Sequence, residues 1–525
     1  MKRISSRIEH LLRRVDILLI LPIFIAAVFF HIWGGFRQEL PYITHPDEPV
    51  FVRTAVRMAA EGSWNPRKFF HPGSTVFYPL AGVFRLRYSL ANRYPLWGPA
   101  PGLAADYERN ITPFYLLGRG LSVIYGILSV LVVYLVGRKA FGWKTGLLGA
   151  WFSILCPLAV YMAHVGRTDS ASTFFGLLGL YGCLRLYRCP GWGAQIVAGS
   201  FIGLAIATKY SLIPLLGVYA LANFFILIEG KRKPLSLAGE FAGGLGSVVL
   251  AFLVMTPFFL VELNTALSNI RVEMRPTHLG QDGLSTWGNL GWYLGTVIPN
   301  DLGWPRVLLA VGAAVYALAN RKPARLLVLF YPLIFLVGIS SSSLHWRRWV
   351  IPILPVISLL AAWMMVEAAG WFKGETPIGK ILKGLLVAMA VIGISYSPAR
   401  DIVQGNLRRS NPSTRVLARK WVAEHLPAGV VIARENYAIP LHGLPFELLK
   451  VSHLPDNSVE EYRAAGAEYF ITTSLNYDRY LNEPEIYPDE VDFYRSLFEQ
   501  GTLLREFSRS STVSGHTVRI YRWDL

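Results

Sequence analysis

The chain has 525 residues, 53% of them hydrophobic, and a formal net charge of +17. Many apolar runs reach ~17–23 residues, enough to cross a hydrocarbon core of roughly 30 Å, which excludes a soluble enzyme with one anchor and predicts a polytopic α-helical membrane protein. The positive charge does not imply nucleic acid, because Lys and Arg collect at span ends, and Cys156, Cys183 and Cys189 lie in or beside spans, so no disulfide framework is implied.

The N-terminal arm carries Lys2, Arg3, Arg7, Arg13 and Arg14 and is expected to stay cytoplasmic. The first apolar run, from about Ile17 to Trp33, lacks a small-residue cleavage site and reads as a retained span. Residues 34–112 form a long outer loop with the tetrapeptide His45-Pro46-Asp47-Glu48, an amphipathic stretch from Pro49 to Ala60, and a segment rich in Pro, aromatic residues and Arg. Spans are expected at about 113–137, 145–163 and 170–187, with Arg138-Lys139, Arg185 and Arg188 marking inner ends. Residues 194–228 are too long for one crossing and precede Lys231-Arg232-Lys233, so they read as two spans broken near Thr208-Lys209-Tyr210-Ser211. A span at about 237–260 leads to a second large outer loop, 261–302, and further spans are expected at about 303–320, 326–342, 349–367 and 381–397. The sum is roughly eleven transmembrane helices, N-terminus inside and C-terminus outside.

After the membrane domain, residues 1–397, apolar runs shorten and charges recur. Ser413 to His425 has helical periodicity, and Val430–Ala433, Tyr469–Thr473 and Thr517–Tyr521 read as short strands. Residues 398–525 are therefore expected to form a small outer α/β domain with its own core.

This topology sorts the unusual polar residues to one side. Asp47, Glu48, His71, Arg167, Asp169, Lys209, His278, His345, Arg347 and Arg348 all fall at outer span ends or in outer loops. Arg167, Lys209, Arg347 and Arg348 stand where the positive-inside rule depletes cations, and carboxylates near lipid are costly to keep. Cations and carboxylates together predict an anion site at the outer leaflet, with a lipid phosphate or pyrophosphate as its natural ligand. No His-x-x-x-His or Cys-x-x-Cys metal motif occurs, and no Gly-rich phosphate loop precedes a helix, so a nucleotide-sugar donor is not expected.

Several segments carry a family resemblance: HPDEPVFVRTAVRMAAEGSWNP (45–66), FFHPGSTVFYPL (69–80), GRGLSVIYGILSVLVVYLVGRKAFG (118–142), HVGRTDSAST (164–173), GLAIATKYS (203–211), HWRRWVIPILPVISLLAA (345–362) and WVAEHLPAG (421–429). In this order they resemble the GT-C class of integral-membrane glycosyltransferases, of the protein mannosyltransferase and lipid A aminoarabinose transferase type. The resemblance implies a GT-C arrangement of the helices in a cytoplasmic (inner) membrane. It also implies an inverting transfer of a sugar from a polyprenyl-phosphate donor to a hydroxyl on a cell-envelope glycan, lipid or protein. Asp47 then matches the general base and Glu48 its orienting neighbour. Lys209, Arg347, Arg348, His345 and Arg167 become candidates for holding the donor phosphate, and Asp169 and His71 for positioning substrate. No cofactor is required; a divalent cation at the acidic motif, used by some members, is the variant. Gly73-Ser74 departs from the mannosyltransferase pattern after His71-Pro72, and no carbohydrate-binding repeat domain is visible, both of which weigh against proteins as the acceptor. The alternative is a lipid-linked-sugar flippase on the same scaffold, which should place functional residues on both sides of the membrane. Here they gather on one.

Overall fold

The computed structural model describes residues 18–43, 45–70, 72–93, 96, 98–280, 282–372 and 376–524. They fall into two compact units. The first comprises Met1–Phe36, Asp47–Thr277 and Gly283–Ile402; the second comprises Arg37–Pro46, His278–Asp282 and Val403–Leu525.

The first unit is helical. It begins with α1 (Leu18–Ile32), α2 (Glu48–Glu61), α3 (Ser74–Asn92), α4 (Leu103–Arg109) and α5 (Thr112–Ala140), then α6 (Trp143–Ile154), α7 (Pro157–Ala163), α8 (Thr168–Arg188) and α9 (Trp192–Thr208). It continues through α10 (Leu215–Ile228), α11 (Pro234–Met255), α12 (Phe258–Val261), α13 (Leu263–Glu273), α14 (Thr286–Trp292) and α15 (Ile298–Leu302). It closes with α16 (Trp304–Asn320), α17 (Pro323–Ser340), α18 (Leu354–Trp371) and most of α19 (Pro377–Ser410). Among the described residues, 6 helices are long and apolar enough to cross a membrane, or 7 with the bent pair α6 and α7 as one span; α1, α9 and α16 are shorter apolar helices. With α8, these fall on the roughly eleven expected spans.

Close packing explains several sequence choices. A β-carbon at Gly199 or Gly203 of α9 would overlap Ser247 Oγ and the carbonyls of Gly244 and Val248 on α11, so glycine lets these two helices approach backbone to backbone. The break expected near 208–211 is present. Thr208 ends α9, Lys209 is extended (φ −158°, ψ 126°), and a short 3₁₀ turn, Tyr210–Leu212, leads to α10. A second break, not foreseen, bends α6 against α7 by 66°. Pro157 cannot continue a helix from Ile154, and both exposed helix ends are satisfied by one short stretch of chain. Arg306 Nη1 donates to the carbonyls of Phe152 (3.1 Å) and Leu155 (2.7 Å), while Asp301 Oδ1 accepts from the amide of Leu158 at 2.6 Å.

The second unit adds α20 (Thr414–His425), β1 (Val431–Glu435), β2 (Glu447–Val451), α21 (Val459–Ala464), β3 (Ala467–Thr473), α22 (Ser474–Leu481), α23 (Pro488–Gln500), β4 (Thr502–Phe507) and β5 (Val518–Arg522). The sheet order is β2-β1-β3-β5-β4, with β1 parallel to β2 and β3, and β5 antiparallel to β3 and β4. Alternation along the strands feeds two cores. Ile432, Ile471 and Ile520 pack with Ala418 and Val422 of α20. Ala433, Phe470 and Tyr521 pack with Tyr462, Tyr494 and Leu497 of α21 and α23.

Glu435 closes the end of β1 and is fully buried. Its carboxylate accepts from Thr472 Oγ1 (2.7 Å), the Thr473 amide (3.2 Å), Asn476 Nδ2 (3.1 Å), the Leu454 amide (3.3 Å) and the Tyr494 hydroxyl. Burial still pushes its pKa up. Every neighbour is a donor, so Glu435→Gln would set its own NH₂ against them. A loss of about 1–3 kcal/mol is expected, read as faster amide exchange in β1 and β3; unchanged exchange would show that the network is dispensable.

Candidate active site

Asp47 stands at the N-cap of α2, and Val50 N donates to its carbonyl at 3.1 Å. Its carboxylate meets two guanidinium groups. Asp47 Oδ2 is 3.0 Å from Arg167 Nη2 and 3.7 Å from Arg348 Nη2. Arg167 precedes α8 in extended conformation (φ −135°, ψ −178°), fixed by Ser122, whose hydroxyl accepts from the Arg167 amide (3.3 Å) and lies 3.2 Å from its carbonyl. Two residues on, Asp169 lies in the first turn of α8, where the helix dipole favours an anion. Asp169 Oδ2 is 3.6 Å from Arg167 Nε, and Asp169 Oδ1 accepts from Lys209 Nζ at 2.9 Å. The α9–α10 break thus delivers Lys209, and the segment after His71 braces it. Thr75 Oγ1 lies 2.9 Å from Thr208 Oγ1, and the Gly73 amide donates to the Thr208 carbonyl.

The result is a chain of alternating charge: Arg348, Asp47, Arg167, Asp169, Lys209. Exposure separates its members. The Asp47 side chain is 32% exposed, against 1% for Arg167, 1% for Asp169, 8% for Lys209 and 16% for Arg348. Asp47 is therefore the carboxylate of this chain that a substrate can reach. Burial, then the neighbouring Arg167, lowers the Arg348 pKa to about 10, which leaves it charged at neutral pH. Its guanidinium also lies 4.0 Å over the Trp346 ring.

Glu48 has a different setting. It is fully buried, and Arg119 Nε and Nη2 hold its two oxygens at 2.9 Å each; the Gly166 amide adds a third bond at 2.9 Å. Arg119 Nη1 also donates to the Phe36 carbonyl at 3.2 Å. This ion pair ties the start of α2 to α5 and to the turn before Arg167, so it sets the backbone that carries Asp47. Arg119→Ala would leave a buried carboxylate with one backbone donor, at a cost of roughly 3–5 kcal/mol. The melting temperature in detergent should fall, and Glu48→Leu combined with Arg119→Leu should recover most of the loss. An unchanged melting temperature in Arg119→Ala would remove the pair from the stability account.

The other candidates sit around this cluster. Arg347 is exposed and its field reaches Asp301. The His345 ring packs on Trp292 with centroids 4.3 Å apart. His71 lies outside the described residues. Sequence reasoning passed over Glu273, at the end of α13, whose pKa burial raises and whose charge couples to Asp47, Arg348 and Lys209. Among the described residues no cluster of three or more His, Cys, Asp or Glu is arranged to hold a metal ion.

The family model described as dolichyl-phosphate-mannose-protein mannosyltransferase matches residues 117–260. Across the whole fold, the chain is similar to ArnT from Cupriavidus metallidurans bound to undecaprenyl phosphate, at 14% identity and TM-score 0.53, covering 96% of this chain and 97% of that one. It has the GT-C fold. The archaeal oligosaccharyltransferase AglB from Archaeoglobus fulgidus, in complex with an inhibitory peptide and a dolichol-phosphate, gives 11% identity and TM-score 0.52, covering 96% of this chain and 74% of that one. An oligosaccharyltransferase from Archaeoglobus fulgidus tethered with an acceptor peptide gives 11% identity and TM-score 0.53, covering 95% of this chain and 74% of that one. No curated protein sequence matches the chain. Within this GT-C fold the family match takes in Arg119, Arg167, Asp169 and Lys209; Asp47 and Arg348 lie outside it.

Proposed function

We propose that this chain is an inverting glycosyltransferase that moves a sugar from a polyprenyl-phosphate donor to a hydroxyl acceptor at the outer face of a cytoplasmic membrane. The observation that carries this reading is the exposed carboxylate of Asp47 beside the guanidinium groups of Arg167 and Arg348, a proton acceptor next to anion-binding charge. The acceptor is a hydroxyl of an envelope glycan, lipid or protein. Its oxygen attacks the anomeric carbon, the carbon–oxygen bond to the phosphate breaks, and the hydroxyl proton passes to Asp47. The electron pair of the broken bond leaves on the lipid phosphate. As Asp47 is neutralised, the field of Arg167 and Arg348 is released toward the phosphate, where negative charge grows; Lys209 adds a third cation, held in place by Asp169.

Two further observations support the reading. The structural neighbours carry undecaprenyl phosphate and dolichol-phosphate, the lipid class the donor requires. The cluster also lies at the opposite ends of the helices from Arg138-Lys139 of α5 and Arg185 and Arg188 of α8, which the positive-inside rule assigns to the cytoplasm. In this scheme His345 and Arg347 approach the phosphate from the chain segment of Arg348.

The test is transfer by purified protein in liposomes, with radiolabelled polyprenyl-phosphate sugars and an envelope extract as acceptor. A product with inverted anomeric configuration by NMR is expected. Retention would rule out single displacement with Asp47 as base.

A further inference from the structure

Tyr293 stands where α14 widens into a single π turn, Tyr293–Val297, with the Tyr293 carbonyl accepting from the Ile298 amide five residues on. Its side chain is fully buried. A buried phenol needs partners for its hydroxyl, and Tyr293 finds both on one residue. The hydroxyl accepts from the Trp346 amide at 3.2 Å and donates to the Trp346 carbonyl at 3.4 Å. Trp346 is extended (φ −132°, ψ 129°), a conformation that turns its N–H and C=O to the same side, as in a paired strand. Its carbonyl also accepts from the Trp349 amide at 3.0 Å and so opens the 3₁₀ turn Arg347–Val350. The preceding loop is held from the same helix. Asn289 Nδ2 donates to the carbonyls of Ser342 (2.9 Å) and Ser340 (3.3 Å), and the Trp292 ring lies against His345.

This loop leads to one side chain of the charged cluster. The Arg348 guanidinium lies 4.0 Å over the Trp346 ring and 3.7 Å from Asp47 Oδ2. Its buried Nε has no hydrogen-bond partner among the described residues, so the guanidinium takes its place from the ring beneath it and the carboxylate beside it. The ring in turn is set by the backbone that Tyr293 holds. A charge that stabilises a leaving group must be held in place beforehand, and a small misplacement can cost ~100-fold in rate. We infer that Tyr293 is a positioning residue for sugar transfer: its hydroxyl fixes Trp346, and the Trp346 ring fixes the Arg348 guanidinium where the donor phosphate leaves. This rests on the reading of Arg348 as the cation that meets that phosphate.

The test uses the full chain in liposomes, with a labelled polyprenyl-phosphate sugar and an envelope extract as acceptor. Tyr293→Phe keeps the buried ring and removes the hydroxyl. Trp346→Leu keeps the backbone bonds and removes the ring under Arg348. These two, Arg348→Ala, and each of the two combined with Arg348→Ala are compared by transfer at saturating donor and by donor KM, per donor-binding molecule. Both single variants are expected to lower kcat by about 10- to 100-fold with donor KM changed less than about 3-fold. Each double variant should be no slower than Arg348→Ala alone, because Tyr293 and Trp346 act through Arg348. Normal kcat in Tyr293→Phe or in Trp346→Leu, beside an impaired Arg348→Ala, overturns this inference and leaves the Arg348 assignment standing. Multiplicative losses in the double variants overturn it as well, since Tyr293 and Trp346 would then act elsewhere. Full activity in Arg348→Ala overturns the Arg348 reading and this inference together.

Discussion

Asp47→Asn should lower sugar transfer by roughly 100- to 10,000-fold, the range expected for removal of a general base, while donor binding holds or tightens. The amide keeps the shape of the carboxylate but cannot take the proton of the acceptor hydroxyl. It also removes a negative charge 3.0 Å from Arg167 and 3.7 Å from Arg348, so the cations meet the donor phosphate with one fewer competitor. The two effects have opposite signs on kcat and on affinity, and that opposition is diagnostic. Transfer at saturating donor, measured beside equilibrium binding of the donor, separates them. A variant with weaker donor binding and normal kcat would make Asp47 a binding residue and leave the base unassigned.

Arg348→Ala should cost about 100- to 1,000-fold in kcat, the range seen when one preorganised charge facing a developing anion is lost. Arg348 is the most exposed cation of the cluster and stacks on Trp346, so it can meet a substrate phosphate without leaving its place. Burial and the neighbouring Arg167 lower its pKa to about 10, meaning that both favour its neutral form. The wild-type rate should therefore fall as pH rises toward 10, and Arg348→Ala should lack that alkaline loss. Rates across this range, with Arg348→Lys as a partial rescue, check the assignment; an alkaline limb that persists in Arg348→Ala belongs to another group.

The helical framework was legible because lipid leaves little choice. Continuous apolar runs flanked by Lys and Arg mark spans at either end. The same rule made Arg167, Lys209 and Arg348 visible as cations in the wrong place, and the structure brings these three together around Asp47 and Asp169. Arg119 was passed over because it lies inside an apolar run, where its one signal is a charge within a span. Arg347 and Arg348 are neighbours in sequence, and the 3₁₀ turn Arg347–Val350 leaves the first exposed and brings the second to Asp47. Nothing in their order tells them apart. In the second unit, β1, β3 and β5 were readable from their apolar alternation. The missed strands, β2 and β4, are the two edges of the sheet, half exposed and carrying Lys450, Arg505 and Glu506. The α6–α7 break had Pro157 as its signal, but the helix ends it exposes are capped by Arg306 and Asp301 from far along the chain.

The proposed reaction places donor cleavage and sugar transfer at Asp47. The most direct measurement is release of free polyprenyl phosphate from a labelled polyprenyl-phosphate sugar in proteoliposomes, with movement of the donor across the bilayer followed in parallel. Release in step with sugar transfer is expected for the wild type, and its loss in Asp47→Asn with donor binding intact. Donor crossing the bilayer without release of polyprenyl phosphate, in wild type and Asp47→Asn alike, would contradict it and make the chain a transporter of lipid-linked sugar.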